Sequence, residues 1–322
     1  MRSNHGLPRE LAATIRTVFC NNSEDWLNNL PYLVGRLELA WGIQVGSLFP
    51  DLSYNAVYHA TLANGTPAVL KIGPPNPEFS SEIAALRVFN GRGAVRILRA
   101  DPSAAALLLE RVTPGDSLHA VVDDAEATRI AAHAMRDLHA LTEPTPYRTQ
   151  GVPGPGRGLD PSTGDLKVFP NLEVWCRALG NLRTRSGGET CPIPSKTLDE
   201  AESLLEELLA TASARVLLHG DFHHGNLLRS EDGWTAIDPK GVIGDPAFEV
   251  GTFLRNHFAH DANPRRVTAR RLDIFADVLS LPRRRLKDWA YVEAVLSACW
   301  SIEDGDAHWA GALNLAEMIK ES

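Results

Sequence analysis

Between positions 7 and 40 the apolar residues recur at intervals of three and four with no strand-like alternation, and this spacing predicts helix. At Trp41 the period shortens. Two strand-like runs follow, Val57–Leu62 and Pro67–Ile72, separated by Asn64-Gly65. Both residues of that pair tolerate positive φ, so a β-hairpin is predicted. Asn76 can cap a helix and Pro77 suits its first position, so helix is expected through Glu82 to about Phe89, stopping at Gly91. Short strands are expected near Val95–Leu98 and Ala105–Leu109. The segment Glu110–Asp116, with Pro114-Gly115 inside it, reads as a connector.

Beyond that connector the helical period dominates. Residues 124–141 place Ala127, Ile130, Ala131, Ala134, Leu138 and Leu141 on one face, behind an Asp123-x-x-Glu126 start that resembles a capping box. Thr197-x-x-Glu200 opens a second amphipathic helix, and residues 247–320 are mostly helical by pattern. Residues 143–164 are rich in Pro, Gly and Thr and read as a long loop. The pattern describes an α+β chain: a small sheet-bearing lobe over 1–112, with an N-terminal helical extension, and a larger helical lobe over 113–322.

The 322 residues suffice for two such lobes, and 44% hydrophobic with 22% charged residues is a globular composition. Net charge is −8 and the sequence pI about 5.8, which argues against nucleic acid or an anionic membrane as partner and modestly favours a cationic small molecule. The N-terminal stretch carries charges throughout and has no apolar core, so no secretory signal is expected. No run approaches the roughly 18 apolar residues of a membrane span. Cys20, Cys176, Cys191 and Cys299 are scattered, so neither a disulfide framework nor structural zinc is expected, and a reducing cytoplasm is the natural compartment.

The candidate chemistry lies in LHGDFHHGNLLRSEDGWTAIDPKGVIGDP, residues 218–246. Apolar Val216–Leu218 can deliver Asp221 to a segment end, where a carboxylate can accept a hydrogen bond from an attacking hydroxyl. Asn226 follows at the interval found between the Asp and Asn of kinase catalytic loops, and its amide oxygen is a hard ligand suited to Mg²⁺. Asp238, after the strand-like WTAID, can supply an anionic metal ligand across the turn at Glu231–Gly233. Upstream, Lys71 closes an apolar strand and Glu82 sits on the next helix, the pair with which kinase-like folds hold the α- and β-phosphates of ATP. A Gly-rich phosphate loop is missing. Residues 49–55 stand in its place, with Ser53 a candidate phosphate contact, which rules out an ordinary protein kinase. Taken singly, each residue is also an ordinary loop or core residue, and a hydrolytic metal site on His219, His223, His224 and Asp221 is an alternative whose spacing matches no zinc pattern.

HGDFHHGNLL followed by AIDPKGVIGDPAFEVG, with PNPEFSSEIAALRVFNGRGAVRIL and LLLERVTPGDSL upstream, resembles the aminoglycoside/hydroxyurea phosphotransferase family in its streptomycin 6-phosphotransferase branch. The resemblance implies a bilobal protein-kinase-like fold using ATP with Mg²⁺. It makes Asp221 the catalytic base, Asn226 and Asp238 the metal ligands, and Lys71 with Glu82 the phosphate anchor. Glu110 and Val112 would offer backbone groups to adenine. Asp245 and Glu249 either buttress the metal loop or hold a substrate amine, and Glu303, Asp304 and Asp306 either line a pocket for a cationic group or form an exposed acidic turn. A streptomycin-like acceptor leads; hydroxyurea, an endogenous sugar or amino alcohol, and a nucleotide-binding protein without turnover are the competing expectations.

Overall fold

The computed structural model describes residues 7–19, 23–50, 52, 54–142, 168–185, 192–256, 263–306 and 309–322. Ser53, Cys20, Cys191 and the 143–164 loop lie outside the described residues. The chain divides into two compact units, Met1–Thr113 and Pro114–Ser322. No helix among the described residues is long and apolar enough to cross a membrane.

In the first unit, helices α1 (Arg9–Phe19) and α2 (Ser23–Trp41) precede strands β1 (Ile43–Leu48), β2 (Ala56–Leu62) and β3 (Pro67–Ile72). Helix α3 (Pro77–Phe89) and strands β4 (Ile97–Asp101) and β5 (Ala106–Glu110) complete it. The five strands form one sheet in the order β1-β2-β3-β5-β4, so β3 is central. The helical stretch expected over 7–40 is thus two helices. Their buried residues Leu11, Ile15, Leu30, Val34 and Leu37 pack with Tyr58, Leu70, Ile72, Ala106 and Leu108. Each leucine, isoleucine or valine among them contributes about 1.5–3 kcal/mol by leaving water. Because strand side chains alternate, Lys71 lies on the opposite sheet face, in register with Val57 and Leu107. Helix α3 starts as its sequence suggests: Phe79 N–H donates to Asn76 Oδ1 at 3.0 Å and Pro77 fills the first helical position.

The second unit opens with β6 (Pro114–Ser117), a strand where the Pro-Gly signal had suggested only a connector. Helices α4 (Asp124–Ala140), α5 (Leu172–Trp175), α6 (Ala178–Arg185) and α7 (Ser195–Ala210) follow. Next come β7 (Val216–Leu218), β8 (Leu227–Ser230), β9 (Gly233–Ala236) and β10 (Val242–Gly244), then α8 (Glu249–Arg255), α9 (Pro264–Leu279), α10 (Arg283–Glu303) and α11 (Trp309–Lys320). β10 pairs with β7, and β6 joins the β8–β9 hairpin through β8. Helix α10 is the axis of this unit: Trp289 through Cys299 are all buried, against α6, α7, α8, α9 and α11. Short β7 is buried at every residue and ends at Leu218, so the following loop begins at His219.

Candidate active site

Lys71 Nζ donates to Glu82 Oε1 at 2.6 Å, and the two side chains are only 4% and 8% exposed. The central strand holds the ammonium and the first turns of α3 hold the carboxylate. A buried pair of this kind is neutralised within the protein, and the charge-assisted bond fixes the ammonium at one place on the sheet.

The second cluster is a loop. Gly220 stands at φ +82°, where a Cβ would meet Lys240 Cβ at 3.0 Å and Val242 Cγ2 at 3.1 Å, so only glycine lets the chain turn here. Asp221 follows, and Asn226 Nδ2 donates to its carbonyl at 2.9 Å and lies 3.3 Å from its Oδ2. With the amide nitrogen turned towards Asp221, the amide oxygen of Asn226 faces the other way. Three bonds tie this loop to the segment carrying Asp238: Ile237 N–H to Asn226 O at 2.9 Å, Lys240 N–H to His219 O at 2.6 Å, and His219 Nε2 to Ile237 O at 2.8 Å. Asp238 itself lies in the left-handed region at φ 59°. An aspartate tolerates that conformation better than most residues, and such strain of about 1–3 kcal/mol persists only where surrounding bonds impose it.

His219 is fully buried and both ring nitrogens are engaged. Nε2–H donates to Ile237 O, and Nδ1 accepts from Asp221 N–H at 3.2 Å. Burial holds its pKa below the ordinary value against the pull of Glu249 and Asp221, so the ring is a neutral brace between Asp221 and the Asp238 segment. A metal site built on His219 does not accord with this bonding, and no group of three or more His, Cys, Asp or Glu among the described residues is arranged to hold a metal.

Glu249 closes the arrangement from behind. Its carboxylate accepts from His219 N–H at 3.1 Å, from Gly220 N–H at 2.6 Å and from His139 Nε2 at 2.8 Å. Burial acts to raise its pKa, but the bond and charge of His139 and the Gly220 N–H outweigh it and hold the group below its ordinary value. Asp245 accepts from Arg285 Nε at 2.6 Å, from Trp289 Nε1 at 2.9 Å and from Ala247 N–H at 2.9 Å. Both carboxylates are buried and bonded within the protein, an arrangement that accords with the first of the two expected roles, support of the loops. His139, Arg285 and Trp289, the partners of these two carboxylates, are not among the candidates named from the sequence. His139 alone left a signal, a polar residue four positions after Met135 on a buried helix face.

Glu110 closes β5, its N–H donating to Arg96 O at 3.0 Å and its carboxylate accepting from Arg96 N–H at 2.9 Å. Val112 is buried just before the end of the first unit. Glu303 ends α10 and Asp304 is its exposed C-cap, with Asp306 exposed in the turn beyond. For a divalent metal the second unit offers two hard oxygen donors, Asn226 Oδ1 and the Asp238 carboxylate, on segments tied together by the bonds above. That set fits Mg²⁺, which takes few protein ligands and completes its shell with water and phosphate oxygens.

A sequence profile described as aminoglycoside/hydroxyurea antibiotic resistance kinase matches residues 41–150 and 159–305. The chain belongs to this kinase family. Its relatives include a streptomycin 6-kinase of Streptomyces glaucescens, 32% identical over 319 residues, covering 98% of this chain and 97% of that enzyme. A hydroxyurea phosphotransferase of Kitasatospora aureofaciens is 32% identical over 285 residues, covering 88% of this chain and 76% of that enzyme. An aminoglycoside phosphotransferase of Streptomyces rimosus, solved with ADP and streptomycin, shares the fold with a TM-score of 0.54 at 18% identity, covering 82% of this chain and 97% of that one. The small β-rich and larger helical units are those of the protein-kinase-like fold, and this family member is an ATP-dependent phosphotransferase acting on a hydroxyl of a small molecule.

Proposed function

We propose that this kinase transfers the γ-phosphoryl group of ATP to a hydroxyl of a cationic, streptomycin-type aminoglycoside, with Mg²⁺ as its metal and the ATP-rich cytoplasm as its place of action. One observation carries the reading. Asp221 and Asn226 share a hydrogen-bonded loop, and three further bonds tie that loop to the segment of Asp238. Asp221 accepts the proton of the acceptor hydroxyl as the hydroxyl oxygen bonds to the γ-phosphorus and the bond from that phosphorus to the β–γ bridging oxygen breaks, releasing ADP. Asn226 and Asp238 hold the metal, and Lys71, kept in place by Glu82, holds phosphate oxygens. Ser53, Glu110 and Val112 belong to the ATP side of the same reading, the last two through backbone groups. Bound Mg²⁺ supplies neutralisation of the charge on the phosphates. The relatives support the acceptor class: a streptomycin 6-kinase matches along nearly the whole chain. The acidic surface favours a cation, and Glu303 and Asp304 are the carboxylates proposed to meet it.

A second acceptor follows from a specific observation, the hydroxyurea phosphotransferase at the same identity. ATP consumption with and without Mg²⁺, against streptomycin, other aminoglycosides, hydroxyurea and simple amino alcohols, separates the readings. Mg²⁺-dependent turnover on streptomycin is expected, and replacing Glu303 by Gln with Asp304 by Asn should raise the streptomycin KM by roughly two- to tenfold, the range of exposed ion pairs. Turnover on hydroxyurea alone moves the acceptor to the second reading. ATP binding with no consumption on any member supports a nucleotide-binding protein without turnover and sinks the proposal.

A further inference from the structure

The base needs more than a position; its carboxylate needs an orientation. Rotation about the terminal bond of an aspartate is broad and roughly two-fold, so a lone carboxylate at a loop is not aimed by its rotamer. Here both oxygens of Asp221 are met. Asn226 Nδ2 lies 3.3 Å from Oδ2, and His223 Nε2 lies 3.7 Å from Oδ1. Each oxygen keeps a second lone-pair direction for the acceptor hydroxyl.

His223 is itself held. Gly225 N–H donates to His223 Nδ1 at 3.0 Å, so Nδ1 is the acceptor and the single proton of the neutral ring sits on Nε2, facing Asp221. The close approach depends on glycine, because a Cβ on residue 225 would meet His223 Cε1 at 3.0 Å and Nδ1 at 3.2 Å. Burial keeps the ring below its ordinary pKa, with Asp221 pulling the other way and the Arg255 cation adding to the lowering.

We propose that His223 is a positioning residue for phosphoryl transfer, its Nε2–H fixing the Asp221 carboxylate in the orientation that accepts the acceptor proton. This deepens the reading of Asp221 as the base and rests on it. At 3.7 Å the contact is a charge–dipole contact longer than a full hydrogen bond, so its loss misaligns the base without removing it.

The test uses the full chain with Mg²⁺-ATP and streptomycin. His223→Ala is expected to lower kcat by about 10–100-fold, the scale of a small misplacement at a reacting centre, with the ATP KM within about twofold. His223→Gln, whose side-chain amide nitrogen can replace Nε2–H, should recover most of that loss. Gly225→Ala should lower kcat with the imidazole intact. Asp221→Asn runs in parallel: turnover surviving there overturns the base assignment and this proposal with it. An inactive Asp221→Asn beside a His223→Ala of unchanged kcat overturns this proposal alone, as does His223→Gln no better than His223→Ala. Histidine ¹⁵N NMR gives a readout independent of the acceptor. The Nε2-protonated tautomer of His223 is expected, and the Nδ1-protonated tautomer contradicts the proposal.

Discussion

Lys71 and Glu82 meet between a central strand and the helix that follows it, eleven positions apart. The loop of Asp221 is held instead by Glu249, which in turn bonds a histidine 110 positions away on α4. The first cluster needs only regular elements: strand alternation sets the lysine on one face, and a capped helix sets the glutamate opposite. The second needs irregular backbone, with a left-handed glycine, a left-handed aspartate and a neutral buried histidine whose two nitrogens join both loops. Regular elements place a charge by their period; a loop must be tied down bond by bond.

The largest expected effect breaks the first cluster. Lys71→Met leaves Glu82 charged and buried without its partner, which should lower stability by about 3–5 kcal/mol in urea unfolding. Adding Glu82→Leu should restore most of that loss, because removing both members of a buried pair is often near neutral. Turnover should stay absent in both variants. A double variant that regains turnover would show that the pair is structural only.

A smaller effect, graded with pH, sharpens the comparison on the second cluster. His219 and Glu249 both have folded pKa values below their ordinary ones, so the unfolded chain binds more protons than the folded one as the solution is acidified. Their contribution to stability is therefore complete above the ordinary histidine value of 6.5 and falls as pH drops, first through His219 and then as pH passes the folded value of Glu249. Urea unfolding measured in steps from about pH 8 to about pH 4 should show that decline, and His219→Asn should flatten its upper part. Stability that holds constant or rises on acidification would contradict the neutral-brace account of His219.

The same contrast explains what the sequence made legible. The hairpin at Asn64-Gly65, the Asn76-Pro77 helix start and the strand-to-helix pairing of Lys71 with Glu82 are local, and local period and cap chemistry expose them. Helix α7 begins at Ser195, two residues before the expected Thr197, a shift confined to the helix end. β6 was hidden because its pairing lies with β8: Pro114 faces Ser230 and Ser117 faces Leu228, while the Pro-Gly pair reads as a turn. The order of Asp221, Asn226 and Asp238 was legible from spacing. The fate of Asp245 and Glu249 was not, since Arg285, Trp289 and His139 reach them only through the fold.

Replacement of Asp221 by Asn, followed by parallel measurement of ATP binding and of phosphoryl transfer to streptomycin, addresses the central claim most directly. The carboxamide keeps the shape and loses the basic oxygen, so transfer should fall by about 10²–10⁴-fold while ATP affinity stays within about twofold. Transfer within about tenfold of the unaltered enzyme would contradict the assignment of Asp221 as the base.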